Sequence, residues 1–213
     1  MRPTAFLLLS MCLALTGKAF CYEAPVQPTG EAIGDIKALP DGRVAKLYKE
    51  HITKMRTQEE VGPHDYAGEW SYDTYHLVLH DPKTGGDEVV WKQQRNYFTL
   101  QAKITREDVR VFDLTLDKGV LTVLFSRGAA ITVETWAKET QGRWSRVSLR
   151  AVPTLQIDWL DRTVTKGEIL PDQVVQLNYK NGDIEKWSYS QKVPRRVWAN
   201  DLKVKYNLPP ESE

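Results

Sequence analysis

The densest chemistry in the chain is the run Trp144-Ser145-Arg146-Val147-Ser148-Leu149-Arg150. Strand alternation with Val147 and Leu149 turned inward places Trp144, Arg146, Ser148 and Arg150 together on the opposite face. The two guanidinium groups then share that face with an indole. Forked guanidinium donors grip carboxylate or sulfate at two points, and an indole stacks on a sugar ring. The surrounding stretch, Lys118 to Lys166, carries eight basic residues against four acidic ones. Trp159, at the end of Leu155-Gln156-Ile157-Asp158-Trp159, is either a second aromatic platform or a lid on the core. Trp144, Arg146, Arg150 and Trp159 are therefore the candidate ligand-binding residues. The competing reading is an ordinary solvated strand face.

Other chemistries find less support. Two carboxylates across a cleft would suit glycoside hydrolysis, but Asp113 with Asp117, Glu134 with Glu139 and Asp158 with Asp161 do not follow the required alternation. His76 and His80 share a strand face yet lie about 13 Å apart along it, too far to chelate one metal. They read as solvent-facing strand histidines. No Gly-x-Ser-x-Gly elbow and no phosphate-binding glycine loop occurs. The sequence thus points to no catalytic residue, no metal and no cofactor.

Charge and targeting narrow the classes further. Met1-Arg2-Pro3-Thr4 followed by Ala5 to Thr16 and a Gly17-x-Ala19 exit reads as a secretory signal peptide over residues 1–21. Its apolar run is shorter than the roughly 20 residues a membrane span needs. Phe20 ahead of Cys21 argues against a lipid anchor. With Arg2 and Lys18 removed, 27 basic residues face 28 acidic ones. That balance speaks against nucleic acid as a partner. Past Cys21 there is no cysteine, so the exported domain is expected to be held by burial alone. A secreted or periplasmic protein without a transmembrane segment is expected.

The elements that must position these residues follow from periodicity. Residues 22–41 are rich in Pro and Gly and read as a leader. Over 42–57, Asp41 as a cap and Val44, Leu47, Tyr48, Ile52 and Met55 at three- and four-residue spacing predict an amphipathic helix. From 66 to 206 the period is two, in short runs such as Leu77/Leu79, Phe98 to Ile104, Phe112 to Leu116, Leu121 to Phe125 and Val175 to Tyr179. Asn181-Gly182 marks a hairpin of type I′. Residues 207–213 read as a frayed tail. Such a pattern predicts an all-β antiparallel sandwich. A closed lipocalin-like barrel, with Gly68-Glu69-Trp70 as its closing Trp, is the alternative.

Val111 to Leu121 followed by Gly142-Arg143-Trp144-Ser145-Arg146-Val147-Ser148-Leu149 and Leu155-Gln156-Ile157-Asp158 resembles the middle of a laminin G-like domain. Trp159 stands where that family usually has Gly, and its C-terminal Cys pair is missing. The resemblance implies a jelly-roll sandwich that binds glycans or proteins. The expected function is therefore an exported, non-catalytic binding module for a glycan or protein ligand. A carrier of small hydrophobic molecules and a sandwich-fold polysaccharide hydrolase or lyase are the alternatives.

Overall fold

The computed structural model describes residues 29–98, 109–128, 130–140, 142–154 and 161–200. They form an all-β protein of antiparallel sheets, open rather than closed into a barrel. The first sheet contains β1 (Glu31–Ala38), β2 (Val44–Arg56), β3 (Gly68–Asp81) and β4 (Gly86–Phe98). The middle sheet contains β5 (Val109–Asp117), β6 (Val120–Arg127), β7 (Ala130–Lys138) and β8 (Trp144–Val152). The third contains β9 (Val164–Leu170), β10 (Val174–Tyr179), β11 (Ile184–Ser188) and β12 (Arg195–Ala199). Each sheet is a four-stranded meander in chain order. Among the described residues the only helix is one turn, Gln58–Val61, and no helix is long and apolar enough to cross a membrane.

Two cores flank the middle sheet. Leu114, Leu121, Val123, Phe125 and Trp144 pack against Leu47, Tyr75, Leu77, Leu79 and Trp91 of the first sheet. Leu124, Ile131, Val133 and Val152 pack against Val175, Leu177, Tyr179 and Trp187 of the third. Consecutive residues Val123 and Leu124 are both fully buried because they point into different cores. The apolar run of β6 is what a strand covered on both faces requires. Gly167 lets β9 close on this sheet: a Cβ there would stand 2.7 Å from Leu124 Cδ2 and 3.0 Å from Phe112 Cβ. Asp113 clasps all three layers. Its Oδ1 accepts from Lys37 Nζ of β1 at 2.8 Å, and its Oδ2 from the Ile169 amide of β9 at 2.8 Å. Asp113 thus has an architectural task.

The predicted helix over 42–57 is a strand. Leu39-Pro40-Asp41-Gly42-Arg43 makes a hairpin loop, closed by Leu39 N to Arg43 O at 2.8 Å and Gly42 N to Leu39 O at 3.0 Å. Gly42 adopts φ +90°. Asp41 accepts from the Arg43 amide and guanidinium instead of capping a helix. A Pro-Asp-Gly turn between two β-capable segments outweighs a helical spacing whose apolar positions also suit a strand. Residues from Glu31 onward therefore belong to the first sheet, and the β region begins well before residue 66. The Asn181-Gly182 hairpin forms, but only Gly182 has positive φ, in the same loop type as Gly42. The signal region, the strand expected from Phe98 to Ile104 beyond residue 98, and the tail lie outside the described residues.

Every edge strand is bulged, whereas the inner strands run regularly. The extra residues are Ile33 and Ile36 in β1, Val90 in β4, Phe112 in β5, Val147 in β8, Thr165 in β9 and Val197 in β12. A bulge increases local twist and spoils an edge as a template for another chain.

His76 corrects the expectation of solvent-facing histidines. It is buried on the outer face of β3, with the Thr29 amide donating to Nδ1 at 3.4 Å. Burial, then the charge of Lys92, holds its pKa below the usual imidazole value. The unfolded state therefore takes up a proton more readily than the fold. Stability should be level above pH ~6.5 and decline as pH falls below it. His76→Gln, followed by urea unfolding across this range, should remove that part of the acid sensitivity; an unchanged pH slope would refute the assignment.

Candidate functional site

The β8 residues do not form the face that alternation predicts. Thr135 pairs with Ser148 and Trp136 with Arg146, so the bulge at Val147 turns Arg146 and Arg150 to opposite sides of the sheet. Arg146 Nη1 donates to Glu134 Oε1 at 3.0 Å on the side of the first sheet. Arg150 Nε donates to Gln191 O at 3.0 Å on the side of the third. Trp144 is buried in the first core, while Val147 and Leu149, expected inside, are exposed. Alternation misleads here because β8 is a bulged edge strand of its sheet, so the apolar type of Val147 and Leu149 does not mark an inward face. Trp159 lies outside the described residues.

A different arrangement gathers polar groups around an opening. Thr115 of β5 pairs with Thr122 of β6, Thr122 with Thr135 of β7, and Thr135 with Ser148 of β8. These four hydroxyl side chains form a row across the middle sheet, on the face toward the third sheet. Thr135 and Ser148 are hydrogen-bonded at 2.7 Å. The row marks where the second core stops.

At the β5–β6 end of this row an open cleft of about 670 Å³ lies between two turns. Asp117, Lys118 and Val120 line one side, and Ile169 to Gln173 the other, with Thr115, Thr122 and Tyr189 also in the lining. The turns are sharply defined. Lys118 (φ 47°), Asp172 (φ 60°) and Gln173 (φ 57°) all adopt the left-handed conformation that non-glycine residues usually avoid. Such positions cost of order 1–3 kcal/mol each and cluster where a loop must hold a set shape. Tyr189 N donates to Gln173 O at 2.8 Å, anchoring the second turn. Burial raises the Tyr189 phenol above its usual pKa, against the opposing effect of its hydrogen bond with Thr122. The phenol thus stays protonated at neutral pH.

Chemically, the cleft offers hydroxyls from Thr115 and Thr122, carboxylates from Asp117 and Asp172, the Gln173 amide and the Lys118 ammonium beside Ile169 and Leu170. Directional polar groups at the margin of an apolar wall suit a ligand that is itself rich in hydroxyls. Among the described residues, no three His, Cys, Asp or Glu side chains are grouped to hold a metal ion. None of the cleft residues was among the ligand-binding candidates read from the sequence, where Asp117 was weighed only as half of a carboxylate pair with Asp113. The available signal was one Thr or Ser per strand at a common height, and it becomes readable only once the register is known. No protein-family model and no curated protein matches the chain.

Proposed function

We propose that this is an exported glycan-binding module whose ligand occupies the cleft between the β5–β6 turn and the Pro171-Asp172-Gln173 turn. The observation that carries the reading is the hydroxyl row ending in an open cleft, framed by two tight turns, with carboxylate and amide margins. A sugar supplies alternating hydroxyls and apolar C–H faces, which match those margins and the Ile169–Leu170 wall. A carrier of hydrophobic molecules would need an enclosed apolar cavity, whereas this cleft is open and edged by charge. Export is the reading of the N-terminal signal, and the charge balance agrees with a ligand other than nucleic acid.

Affinity electrophoresis through gels containing a panel of soluble polysaccharides tests the proposal. At least one polysaccharide should retard the wild type. Asp172→Gly with Gln173→Gly keeps the left-handed turn and deletes both polar groups. Thr122→Val removes a hydroxyl with little change in shape. Each lost hydrogen bond is worth about 0.5–1.5 kcal/mol, or more where a carboxylate is involved. The three changes together should weaken retention at least about tenfold. Equal retardation of variant and wild type would refute the site, and no retardation by any polysaccharide would refute the function.

A further inference from the structure

Past Leu77 along β3 the inner face of the first sheet takes on polar groups, although its central residues Tyr75, Asp73 and Ser71 are still buried. Leu47, Leu77 and Trp91 form the last apolar row across β2, β3 and β4. The next rows on that face are Lys49/Tyr75/Gln93, His51/Asp73/Arg95 and Thr53/Ser71/Tyr97. Asp73, on the central strand, is buried. Its Oδ1 lies 2.6 Å from His51 Nδ1, and its Oδ2 accepts from the Tyr97 hydroxyl at 3.0 Å with Lys49 Nζ at 3.5 Å.

In the tautomer that donates Nδ1–H to Asp73, the lone pair of His51 lies on Nε2. The imidazole is 51 % exposed while its carboxylate partner is 5 % exposed. A buried carboxylate fixing one nitrogen of an open imidazole is the base-and-orienter half of a proton-transfer site. Lys49, two residues along β2, and Arg95, opposite Asp73 on β4, add positive charge to the same face. A polar filler at the end of a core needs none of this exposure.

We propose that His51, positioned by Asp73, is a general base that opens acidic polysaccharides by β-elimination at a uronate residue. This site is separate from the glycan cleft and stands on its own residues. Lys49 and Arg95 hold and neutralise the substrate carboxylate, which acidifies the hydrogen on the adjacent carbon, C5. His51 Nε2 takes that proton, and the C5–H electron pair becomes the C4–C5 double bond. The C4–O glycosidic bond breaks with its electrons on oxygen, which takes a proton from water. His51 then returns its own proton to water. Tyr97 is a positioning residue: its hydroxyl holds Asp73, and burial, then Asp73, raises its pKa so that this donor persists. The sequence concealed the set because His51 and Lys49 fell in a segment read as helix and Asp73, Arg95 and Tyr97 come from two other strands.

The experiment uses the full chain with polygalacturonate, alginate and hyaluronate as probes, following the ultraviolet absorbance of the conjugated double bond. The wild type should generate that absorbance on at least one of them. His51→Asn should lose at least about 100-fold in kcat. Asp73→Asn should lower kcat with KM unchanged, because the amide no longer enforces the tautomer. Lys49→Ala should act mainly on KM. His80→Gln is the control: His80 Nδ1 also meets a carboxylate, Asp87 Oδ1 at 2.8 Å, but in a hairpin away from this face, and its rate should equal wild type. Thermal unfolding confirms that each variant is folded, and His51→Asn alters only a half-exposed side chain. A wild type inert on all three polymers, or a folded His51→Asn of undiminished rate, overturns the proposal. Retention by the cleft is read separately by electrophoresis.

Discussion

Glu185→Ala is expected to destabilise the fold by about 3–5 kcal/mol, the usual result of removing one partner from a buried ion network. Glu185 and Arg162 are both 0 % exposed. Arg162 Nη2 lies 3.1 Å from Glu185 Oε1, and its Nη1 lies 2.5 Å from Asp183 Oδ2. Arg196 Nη1 approaches Glu185 Oε1 at 3.3 Å. The other oxygen, Oε2, accepts from the Tyr179 hydroxyl at 2.7 Å, Trp187 Nε1 at 3.1 Å and Thr154 Oγ1 at 3.2 Å. The Arg162 guanidinium also stacks over the Tyr179 ring, 4.0 Å from its centroid. Burial, then the Glu185 charge, drives the Tyr179 phenol far above its usual pKa, so it remains a donor throughout the physiological range. Removing Glu185 strands several donors and leaves the buried Arg162 with less compensation. Equilibrium urea unfolding should show a lower midpoint with an unchanged slope. Glu185→Gln, which keeps one acceptor, should cost less than the alanine change. A loss below about 1 kcal/mol for Glu185→Ala would mean the network is not closed to solvent.

Leu121→Ala and Leu124→Ala should each cost about 2–5 kcal/mol, although the two side chains leave opposite faces of one strand. Leu121 belongs to the core shared with the first sheet and Leu124 to the core shared with the third. In a sandwich of only two sheets, one of these positions would face solvent and its truncation would fall within about 0.5 kcal/mol. Because they touch different cores, the double variant should be additive within about 0.5 kcal/mol. Denaturation of the two single variants and the double variant measures this directly. A near-neutral result at either position would contradict the stacking of three sheets.

The class of fold was legible because alternating runs and glycine turns are local features. Leu77/Leu79, Leu121 to Phe125 and Val175 to Tyr179 fall in strands as their spacing predicts. Residues 44–56 misled because Val44, Leu47, Tyr48, Ile52 and Met55 satisfy a helical stripe, while the decision lay with the Pro40-Asp41-Gly42 turn and with the neighbour β3. The β8 residues misled for another reason. A single inserted residue, Val147, reverses every face beyond it, and nothing in Trp144 to Arg150 announces a bulge. The site was less legible still. Thr115 and Thr122 gain meaning only as paired neighbours, and Asp172 and Gln173 only through left-handed backbone geometry. Asp113, weighed as a catalytic carboxylate, is spent on Lys37 and Ile169. Arg146, weighed as a ligand contact, is held by Glu134.

The most direct test of the glycan cleft is an amide-resolved NMR titration of the full chain with an oligosaccharide from whichever polysaccharide retards it. Saturable shift changes should concentrate at residues 115–122, 169–173 and 189, and should vanish in the Asp172→Gly, Gln173→Gly, Thr122→Val variant. Saturable changes confined to 144–150, with the cleft amides unmoved, would contradict the assignment and return binding to β8.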